Sequence, residues 1–541
     1  MDISLFKNET DIPPHCLWQV ERTQVPHVYE TDVFSPIELR YGSLLRTVRL
    51  GGYTPLKVAA ALEMLQRASQ AFNYGRGDWA SAHYKDRIQA MLQFADDLET
   101  IEKELALSIM WEIAKPWQDS LAEARQTVDY IRDTCQTYGF LCAKEDTAVT
   151  AGGFYAKART VPLGTVLCTG PYNNPLFESC TTLIPALLTG NSVLLKPPKL
   201  GVLLHKSILP LYARHFPKDV IGVLFGDGEE LITSVVGTGK IDVLAGIDSG
   251  AMAAAMTRLH PKPHCLRSIS ASEAKNIAIV CPDADISLAA KECAHGALTF
   301  NGQNCTALKM HFVHDSIYEP FLDAFVKEVE LMRIGMPWES GVRITPLAEP
   351  NKTERLEELK EDAVNLGAKW ANAPARGTPC RIGNLYQPAI LTDVPNAAKL
   401  AQVEQYGPII PVRRFSALRE PITYVQESPY SQQASVFGQG SEAAWIVDAL
   451  SLLVSCVHIN TQCRRRPDTF AIGGRKDRAA GILSIREGLR VFSFSSTVTV
   501  KSDMDRTETS TVRSLLRGGN RFLGAQSLEK RPPGLPWQNH A

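Results

Sequence analysis

The feature that most constrains the fold is an alternation of strand-like and helix-like segments that begins at residue 164. Short apolar runs occur at residues 165–169, 192–196, 220–225, 241–245 and 276–281, and a helix-length pattern fills each of the first three gaps. Alternation of this kind predicts a doubly wound parallel sheet covered by helices. We therefore expect an α/β fold in which ligands bind beyond the carboxyl ends of the strands.

The residues that follow these strands are the first candidates for ligand contacts. Lys196 and Lys199 belong to a KPPK segment after the second run, Gly228 to a GDG turn after the third, and Gly246 follows the fourth. The Gly-x-Gly-x-x-Gly fingerprint of dinucleotide-binding proteins does not follow the first run,. The motif alone therefore gives weak support for an orthodox Rossmann cofactor site.

The remaining patterns divide the chain into six parts. We expect a Rossmann-like cofactor domain, a second α/β domain that carries the nucleophile, and a small β arm for oligomerisation. The alternating stretch 139–163 predicts a hairpin, with a plain surface hairpin as the alternative, and the alternating stretch 489–500 can pair with it,. The expected parts are an extended N-terminal segment with helices of the cofactor domain (1–138), the hairpin (139–163), the cofactor-domain core (164–281), the nucleophile domain (282–470), a return segment with the arm strand (471–505) and a tail (506–541).

Composition narrows the possible partners and the compartment. The net charge of -1 and the pI near 6.9 give no reason to expect nucleic acid or a membrane surface as a partner,. No run of eighteen apolar residues occurs,. The twelve cysteines include no Cys-x-x-Cys pair, which predicts free thiols in a reducing compartment, the cytoplasm by default, and no metal site,.

Residues 300–309, FNGQNCTALK, set one of these thiols apart. Cys305 follows a helix-like run, precedes a strand-like run, and has small and amide neighbours. A nucleophilic thiolate needs access and nearby donors, and this context supplies both. The alternative is a packed thiol, which is the commoner role of cysteine.

Two distant polar residues complete a hypothetical acyl-transfer site. Asn173 follows the first strand, where its amide can donate to an oxyanion together with the backbone N–H of Cys305,. Glu273, within SASEAKN, can act as a general base on water,. Each also has an ordinary interpretation, a turn asparagine and a solvated glutamate, and sequence spacing alone does not bring the three together.

Four ordered motifs, GPYNNP, GNSVLLKPPK, FNGQNCTALK and EQYGPIIPV, resemble those of the aldehyde dehydrogenase superfamily over residues from about 55 to about 505. The segments KPPK, MPW, ITPL and QCRRRPD are most similar to the non-phosphorylating, NADP-dependent glyceraldehyde-3-phosphate dehydrogenases. The resemblance implies that Cys305 attacks the aldehyde, that Asn173 stabilises the oxyanion, and that Glu273 activates water to hydrolyse a thioester. It also implies a homodimer or homotetramer and a role in glycolysis.

The resemblance further implies roles in binding NADP and the substrate. Lys199 stands where relatives often have a glutamate that repels a 2′-phosphate, so Lys196 and Lys199 together favour NADP over NAD,. Glu404 matches the residue that holds the nicotinamide ribose, and Tyr406 matches the aromatic residue beside the ring. Arg465, within QCRRRPD, matches an arginine that binds the substrate phosphate.

The chain also departs from the family pattern. Asn304 stands where the subfamily commonly has an arginine that contacts substrate phosphate, and Ala271 stands where the common form of the glutamate motif has its glutamate. These departures keep two alternatives open beside oxidation of glyceraldehyde 3-phosphate to 3-phosphoglycerate. One is the same chemistry on another aldehyde, and the other is a dehydrogenase-like scaffold that has lost turnover.

Overall fold

The computed structural model describes residues 1–18, 31–145, 149–246, 250–271, 273–375, 378–470, 472–474, 476, 479–480 and 482–501, so the predicted tail 506–541 lies outside it. Two strands, β1 (Thr31–Tyr41) and β2 (Leu44–Tyr53), pair antiparallel near the N-terminus, where we expected an extended segment. Register shifts between Val33 and Phe34 and between Phe34 and Glu38 interrupt the pairing. These irregularities disturb the alternation of side chains and explain why the sequence pattern does not reveal the hairpin.

Five helices follow the hairpin, and the fifth is longer than expected. Gly139 marked the predicted start of the arm, but the helix continues past it because Tyr138 and Cys142 keep the helical spacing of buried residues,. The arm therefore begins with a later pair of strands. These elements are α1 (Val58–Phe72), α2 (Asp78–Ser81), α3 (Tyr84–Thr100), α4 (Glu102–Ile113), α5 (Trp117–Glu145), β3 (Val149–Ala151) and β4 (Phe154–Pro162).

The predicted doubly wound sheet is present. Its elements are β5 (Thr165–Thr169), α6 (Phe177–Leu188), β6 (Ser192–Lys196), α7 (Leu204–His215), β7 (Ile221–Val223), α8 (Gly228–Val236), β8 (Val243–Gly246), α9 (Gly250–Leu259) and β9 (Arg267–Ala271). Strands β9, β8, β5, β6 and β7 are neighbours in that order and run parallel. Helices α3, α5 and α6 pack on one face of this sheet in the largest hydrophobic cluster.

A second parallel sheet forms the other half of the body. The elements of this half are β10 (Asn276–Val280), α10 (Ile286–Leu298), β11 (Leu308–His314), α11 (Tyr318–Glu330), β12 (Arg333–Ile334), β13 (Val342–Ile344), α12 (Lys352–Asn365), β14 (Lys369–Trp370), β15 (Arg381–Ile382), β16 (Leu385–Tyr386), β17 (Ala389–Thr392), α13 (Lys399–Gln402), β18 (Ile409–Phe415), α14 (Arg419–Glu427), β19 (Gln433–Phe437), α15 (Ser441–Ser451) and β20 (Cys456–Ile459). The seven strands of the sheet have the order β14-β17-β18-β11-β10-β19-β20, and β14 alone among them is antiparallel to its neighbour.

Strand β10 corrects the expected boundary between the two halves. Residues 276–281 were expected in the cofactor domain, whereas β10 pairs with β11 and β19 in the second sheet. The last parallel strand of the first sheet is β9, whose sequence RSISA is too polar to stand out as a buried strand. The chain therefore crosses from one sheet to the other between residues 271 and 276, close to Glu273.

The C-terminal segment returns to the first half and then to the arm. Its elements are β21 (Ile472–Gly473), β22 (Ala479–Ala480), β23 (Ile482–Leu483), α16 (Ile485–Val491) and β24 (Ser493–Lys501). Strand β22 adds to the edge of the first sheet, and β24 pairs antiparallel with β4 to give a three-stranded sheet of order β24-β4-β3. Among the described helices, none combines the length and the apolar character needed to span a bilayer.

Candidate active site

Cys305 lies in the loop between α10 and β11, and a tight turn leads into this loop. Phe300, Asn301 and Gly302 have φ angles of 46°, 58° and 73°, in the left-handed region,. Asn301 holds the turn, because its Nδ2 donates to the carbonyl of Thr345 at 3.0 Å and its Oδ1 accepts from the backbone N–H of Thr345 at 2.9 Å. At Gly302 a Cβ would lie 2.7 Å from the carbonyl oxygen of Gly407, so this position requires glycine,.

Two side chains fix the backbone on either side of the nucleophile. The Nδ2 of Asn276, at the start of β10, donates to the carbonyl of Cys305 at 2.7 Å. The Nζ of Lys309, on β11, donates to the carbonyl of Gly302 at 2.8 Å. The loop that carries Cys305 is therefore tied to two neighbouring strands of the second sheet.

The electrostatic surroundings of Cys305 keep its thiol protonated at rest. Burial, followed by the negative charges of Glu178 and Glu404, raises the pKa of Cys305 to about 12, although Arg465 and Lys309 oppose these carboxylates. The Sγ lies 3.6 Å from Oδ1 of Asn304, which can accept from the thiol. Formation of the thiolate therefore needs a change in this local balance of charge.

Asn173 is buried in the segment between β5 and α6, and a buried ion pair supports it. The Nζ of Lys115 lies 2.7 Å from Oε2 of Glu123 and donates to the carbonyl of Asn173 at 3.0 Å and to Oδ1 of Asn174 at 2.6 Å. Oε1 of Glu123 accepts from two backbone N–H groups at the start of α6. This network fixes the backbone from which the Asn173 amide projects.

A cavity of about 280 Å³ lies beside the nucleophile loop. Asn173 and Asn304 both line it, and Asn304 immediately precedes Cys305. Phe300 contributes an apolar wall, and Arg343 and Arg466 contribute cationic groups. The structure thus brings the predicted oxyanion donor and the neighbour of the predicted nucleophile to one cavity of the size of a small aldehyde.

Glu273 is half-buried in the crossing between the two sheets. The residues that follow it are firmly held: the backbone N–H of Ala274 donates to Oε2 of Glu404 at 3.1 Å, and buried Lys275 donates to Oε1 of Gln405 at 2.8 Å. Because Asn276 contacts the carbonyl of Cys305, Glu273 lies three residues from a direct contact with the nucleophile loop.

Glu404 and Tyr406 lie in the loop that precedes β18. Glu404 is buried, its Oε1 is 3.2 Å from Nζ of Lys309, and burial raises its pKa. Tyr406 has a left-handed backbone with φ of 47°, and its ring centroid is 4.6 Å from Nζ of Lys309 and 5.9 Å from the ring of Tyr172. Both predicted cofactor contacts therefore surround Lys309, a residue for which the sequence motifs predicted no role.

A larger cleft of about 820 Å³ opens at the carboxyl ends of β5, β6 and β7. Lys196, Lys199 and Gly228 line it, and Gly246 lines a small adjoining cavity that shares Thr169 with the cleft. Lys196 is buried and donates to the carbonyl of Pro197 at 2.6 Å, while Lys199 is exposed. The four cofactor contacts predicted from strand ends thus meet in one region.

Lysines and carboxylates share the lining of this cleft. Lys57 joins Lys196 and Lys199, and the carboxylates are Asp227, Glu229 and Glu230. Asp227 is partly engaged, because Oδ1 caps α8 by accepting from the backbone N–H of Glu230 at 3.0 Å. Asp227 belongs to the GDG turn expected at a strand end, whereas Glu229 and Glu230 lie inside α8 and were not expected at the site, because only residues at strand ends were considered.

Arg465, predicted to contact the substrate, is instead paired inside the protein. It forms an ion pair with both oxygens of Glu178 on α6, its Nε lies 4.0 Å from Asp468, and its guanidinium lies 5.1 Å from the ring centroid of Phe177. The cavity lining contains Arg466 rather than Arg465. The signal for Glu178 was present in the sequence, because it is the one charged residue of the helix FESCTTLIPALL.

Comparison with known proteins agrees with this arrangement. The profile of the aldehyde dehydrogenase family matches residues 49–498, which is most of the chain. The chain belongs to the aldehyde dehydrogenase family. Membership confirms the resemblance read from the four motifs and the α/β fold that it implied.

Individual members of the family are similar at modest identity. An NADP-dependent glyceraldehyde-3-phosphate dehydrogenase of Streptococcus equinus is 29% identical over 432 residues, which cover 78% of this chain and 87% of that protein. A succinate-semialdehyde dehydrogenase [NADP(+)] of Mycobacterium avium is 28% identical over 469 residues, which cover 83% and 94%. The crystal structure of an NADP-dependent glyceraldehyde-3-phosphate dehydrogenase from Bacillus halodurans, complexed with NADP, has 27% identity and a TM-score of 0.77 and covers 92% of this chain and 99% of that one.

Proposed function

We propose that this protein oxidises glyceraldehyde 3-phosphate to 3-phosphoglycerate with NADP, through a thioester on Cys305 and without phosphorylation. The observation that carries the proposal is that Asn173 and Asn304, the neighbour of Cys305, line one cavity of about 280 Å³. A second cleft, lined by the predicted dinucleotide contacts, lies at the strand ends of the same body. Both features fit the chemistry of the family to which the chain belongs.

The chemistry begins when the sulfur of Cys305 bonds to the aldehyde carbon. The carbonyl oxygen then carries negative charge, and the amide of Asn173 with the backbone N–H of Cys305 donates to it. Lys115 holds the carbonyl of Asn173 at 3.0 Å, so the donor is fixed before substrate arrives,. The positive charges of Arg465 and Lys309 favour the thiolate against the surrounding carboxylates.

The residues of the large cleft fit a dinucleotide phosphate. Lys196 and Lys199 would face the 2′-phosphate of NADP, Gly228 and Gly246 allow close approach of the cofactor, and Glu404 with Tyr406 would adjoin the nicotinamide end,. Bound there, NADP would supply the acceptor for the hydride that leaves the substrate carbon. A thioester then remains on Cys305.

The second half of the reaction releases the acid. Glu273 takes a proton from a water molecule, the water oxygen bonds to the thioester carbon, and the carbon–sulfur bond breaks. This step regenerates Cys305 and consumes no phosphate. The half-buried position of Glu273 in the crossing before Asn276 supports this assignment.

A second candidate substrate is an aldehyde that carries a carboxylate. Asn304 lacks the charge that the subfamily commonly places before the nucleophile, and Glu178 already engages Arg465. The Mycobacterium avium relative, named as a succinate-semialdehyde dehydrogenase, makes succinate semialdehyde the natural representative of this class.

We also propose a homodimer or homotetramer in the cytoplasm. The three-stranded sheet carries Phe154 and Phe494 exposed at 44% and 49%, as expected of strands that meet another subunit,. Light scattering of the purified protein, and of a variant with Phe154→Ser and Phe494→Ser, tests this assembly. A monomeric wild type would contradict it.

The substrate is tested by measuring kcat/KM for glyceraldehyde 3-phosphate, succinate semialdehyde and unphosphorylated glyceraldehyde, each with NADP and with NAD. We expect the highest value for glyceraldehyde 3-phosphate with NADP, in buffer without phosphate. A higher value for succinate semialdehyde would replace the proposed substrate. Absence of turnover with every aldehyde would support a scaffold that has lost activity.

A further inference from the structure

We propose that Arg343 and Arg466 form the subsite that binds the anionic group of the aldehyde, in place of Arg465. The inference rests on the proposed function and adds two residues to it. Arg343 is the middle residue of β13, and Arg466 lies in the loop after β20. Both residues line the cavity of about 280 Å³ that also contains Asn173 and Asn304.

Arg465 is poorly suited to this role in the observed arrangement. Its side chain is 16% exposed, and that of its partner Glu178 is 2% exposed. An incoming anion would have to displace a buried carboxylate that already binds the guanidinium with both oxygens,. Such an exchange would leave the negative charge of Glu178 beside the negative charge of the substrate. The repulsion between the two charges would oppose substrate binding.

Arg343 and Arg466 remain accessible to an incoming anion. The side chain of Arg343 is 50% exposed, and its ion pair with Oδ1 of Asp119 is long, at 3.7 Å. A half-exposed pair at this distance is weak and exchanges readily. Arg466 is exposed and also lines the cavity.

The charges around the cavity leave one net positive charge. Lys115 and Glu123 neutralise each other at 2.7 Å, and Arg343 and Asp119 form the long pair, which leaves the charge of Arg466. His295, which also lines the cavity, has a lowered pKa because of burial and the charge of Arg343. The neutral imidazole then adds no charge, and the cavity favours a small anion.

The cavity lies beside the proposed position of the reacting carbonyl. Asn173 and Asn304 line it, and Asn304 immediately precedes Cys305, whose own side chain is not among the lining residues. We therefore place the carbonyl at the Asn173 and Asn304 side of the cavity and the rest of a short aldehyde within it. A phosphate or a carboxylate at the other end of the molecule then meets a guanidinium, which binds either group through paired N–H donors.

Arg464 supplies a matched control in the same loop. Its side chain is directed to Glu292, with 3.5 Å between Nη2 and Oε2, and Arg464 is not among the residues that line the cavity. Arg464→Gln therefore removes one exposed positive charge next to Arg466 without changing the proposed subsite.

The first test compares kinetics of Arg343→Gln, Arg466→Gln, the double variant and Arg464→Gln. We expect each single subsite variant to raise KM for glyceraldehyde 3-phosphate or succinate semialdehyde about tenfold, with little change in kcat or in kcat/KM for neutral glyceraldehyde. Asp119→Asn should lower KM for the same anionic aldehyde, because it frees Arg343. Wild-type KM values in the double variant would overturn the proposal, and the substrate with the larger effect distinguishes phosphate from carboxylate.

The second test does not require turnover. Inorganic phosphate is titrated calorimetrically into the whole protein, with Lys199→Gln reporting any binding in the large cleft. Weaker binding in the double variant than in Arg464→Gln supports the subsite, and equal binding overturns it. If no aldehyde is oxidised, the proposed function fails, but the phosphate titration still decides the subsite. Matching unfolding temperatures of the variants would exclude a folding defect.

Discussion

The side-chain amide of Asn276 donates to the backbone carbonyl of Cys305 at 2.7 Å, and this bond joins the sheet crossing to the nucleophile loop. Asn276 is the first residue of β10. Cys305 precedes β11, the strand that runs parallel to β10 beside it. The bond fixes the peptide that follows Cys305 and so helps to fix the direction of the sulfur. Asn276 is therefore a positioning residue for the nucleophile.

Replacing Asn276 with alanine should slow acylation. The variant loses the bond to the carbonyl of Cys305 together with the bonds that Asn276 makes to Ala307, Gln432 and Gln433. Each such bond contributes about 1 kcal/mol, and we expect the less firmly held nucleophile loop to lower kcat roughly tenfold. Asn372→Ala is the control, because Asn372 makes similar bonds to Pro388 and Ile390 outside the site. Steady-state kinetics and NADP titration check the prediction: kcat should fall with unchanged NADP affinity, and an equal fall in both variants would refute it.

Replacing Glu178 with glutamine should make Cys305 more reactive. The charge of Glu178 is, after burial, the largest cause that raises the pKa of Cys305, so removing it lowers this pKa and increases the thiolate fraction at pH 8,. The rate of alkylation by iodoacetamide at Cys305, followed by mass spectrometry, should rise at least about threefold. Glu229→Gln, in the large cleft, should leave the rate unchanged.

Alkylation of Cys305 in the wild-type protein should become faster as the pH rises. With a pKa near 12, the thiolate fraction of Cys305 increases about tenfold for each pH unit across the neutral range,. The alkylation rate of the unliganded protein should therefore rise steadily from pH 7 to pH 9. A plateau near neutral pH would show that the thiolate is stabilised more strongly than this arrangement of charges predicts.

Replacing Lys199 with glutamine should weaken NADP binding more than NAD binding. One charge-assisted contact to a phosphate contributes about 1.4 kcal/mol, which is roughly tenfold in Kd for NADP. Lys218→Gln is the control, because Lys218 is exposed and does not line the cleft. Calorimetric titration measures both cofactors, and an equal loss for NAD would contradict a 2′-phosphate contact.

Replacing Lys115 with methionine should destabilise the fold. The side chains of Lys115 and Glu123 are 7% and 2% exposed, so the variant leaves a buried carboxylate without its partner. A cost of about 3 kcal/mol in the free energy of unfolding is expected. Lys369→Met removes an exposed pair with Asp393 at 3.0 Å and should cost less than about 1 kcal/mol,. Guanidinium denaturation compares the two, and equal costs would count against the buried network.

The two sheets could be predicted in part from the sequence. Buried parallel strands such as β5 and β6 are continuous apolar runs, and their pattern gives their position and type,. The pattern does not say which sheet a strand joins, so β10 was placed with the wrong neighbours. Polar strand β9 and irregular β1 were missed because neither has the apolar or alternating signal on which prediction depends.

The residues of the candidate site could also be predicted only in part from the sequence. Strand ends located Asn173, Lys196 and Gly228, because ligands in this class of fold meet the carboxyl ends of strands. The ion-pair partners of charged side chains could not be predicted, because pairing depends on tertiary contacts between residues far apart in the chain. Arg465 and Glu178, separated by 287 positions, are the clearest example, and their pairing changes which arginine faces the cavity.

The central claim, that Cys305 forms a thioester during aldehyde oxidation, is tested most directly by NADPH formation in the wild type, Cys305→Ala and Cys456→Ala. Cys456 is a half-buried thiol outside the site and serves as the control. NADPH should form at the wild-type rate in Cys456→Ala and not at all in Cys305→Ala, and acid quenching during turnover should reveal an acyl group on the Cys305 peptide. Equal NADPH formation in the wild type and in Cys305→Ala would contradict the account.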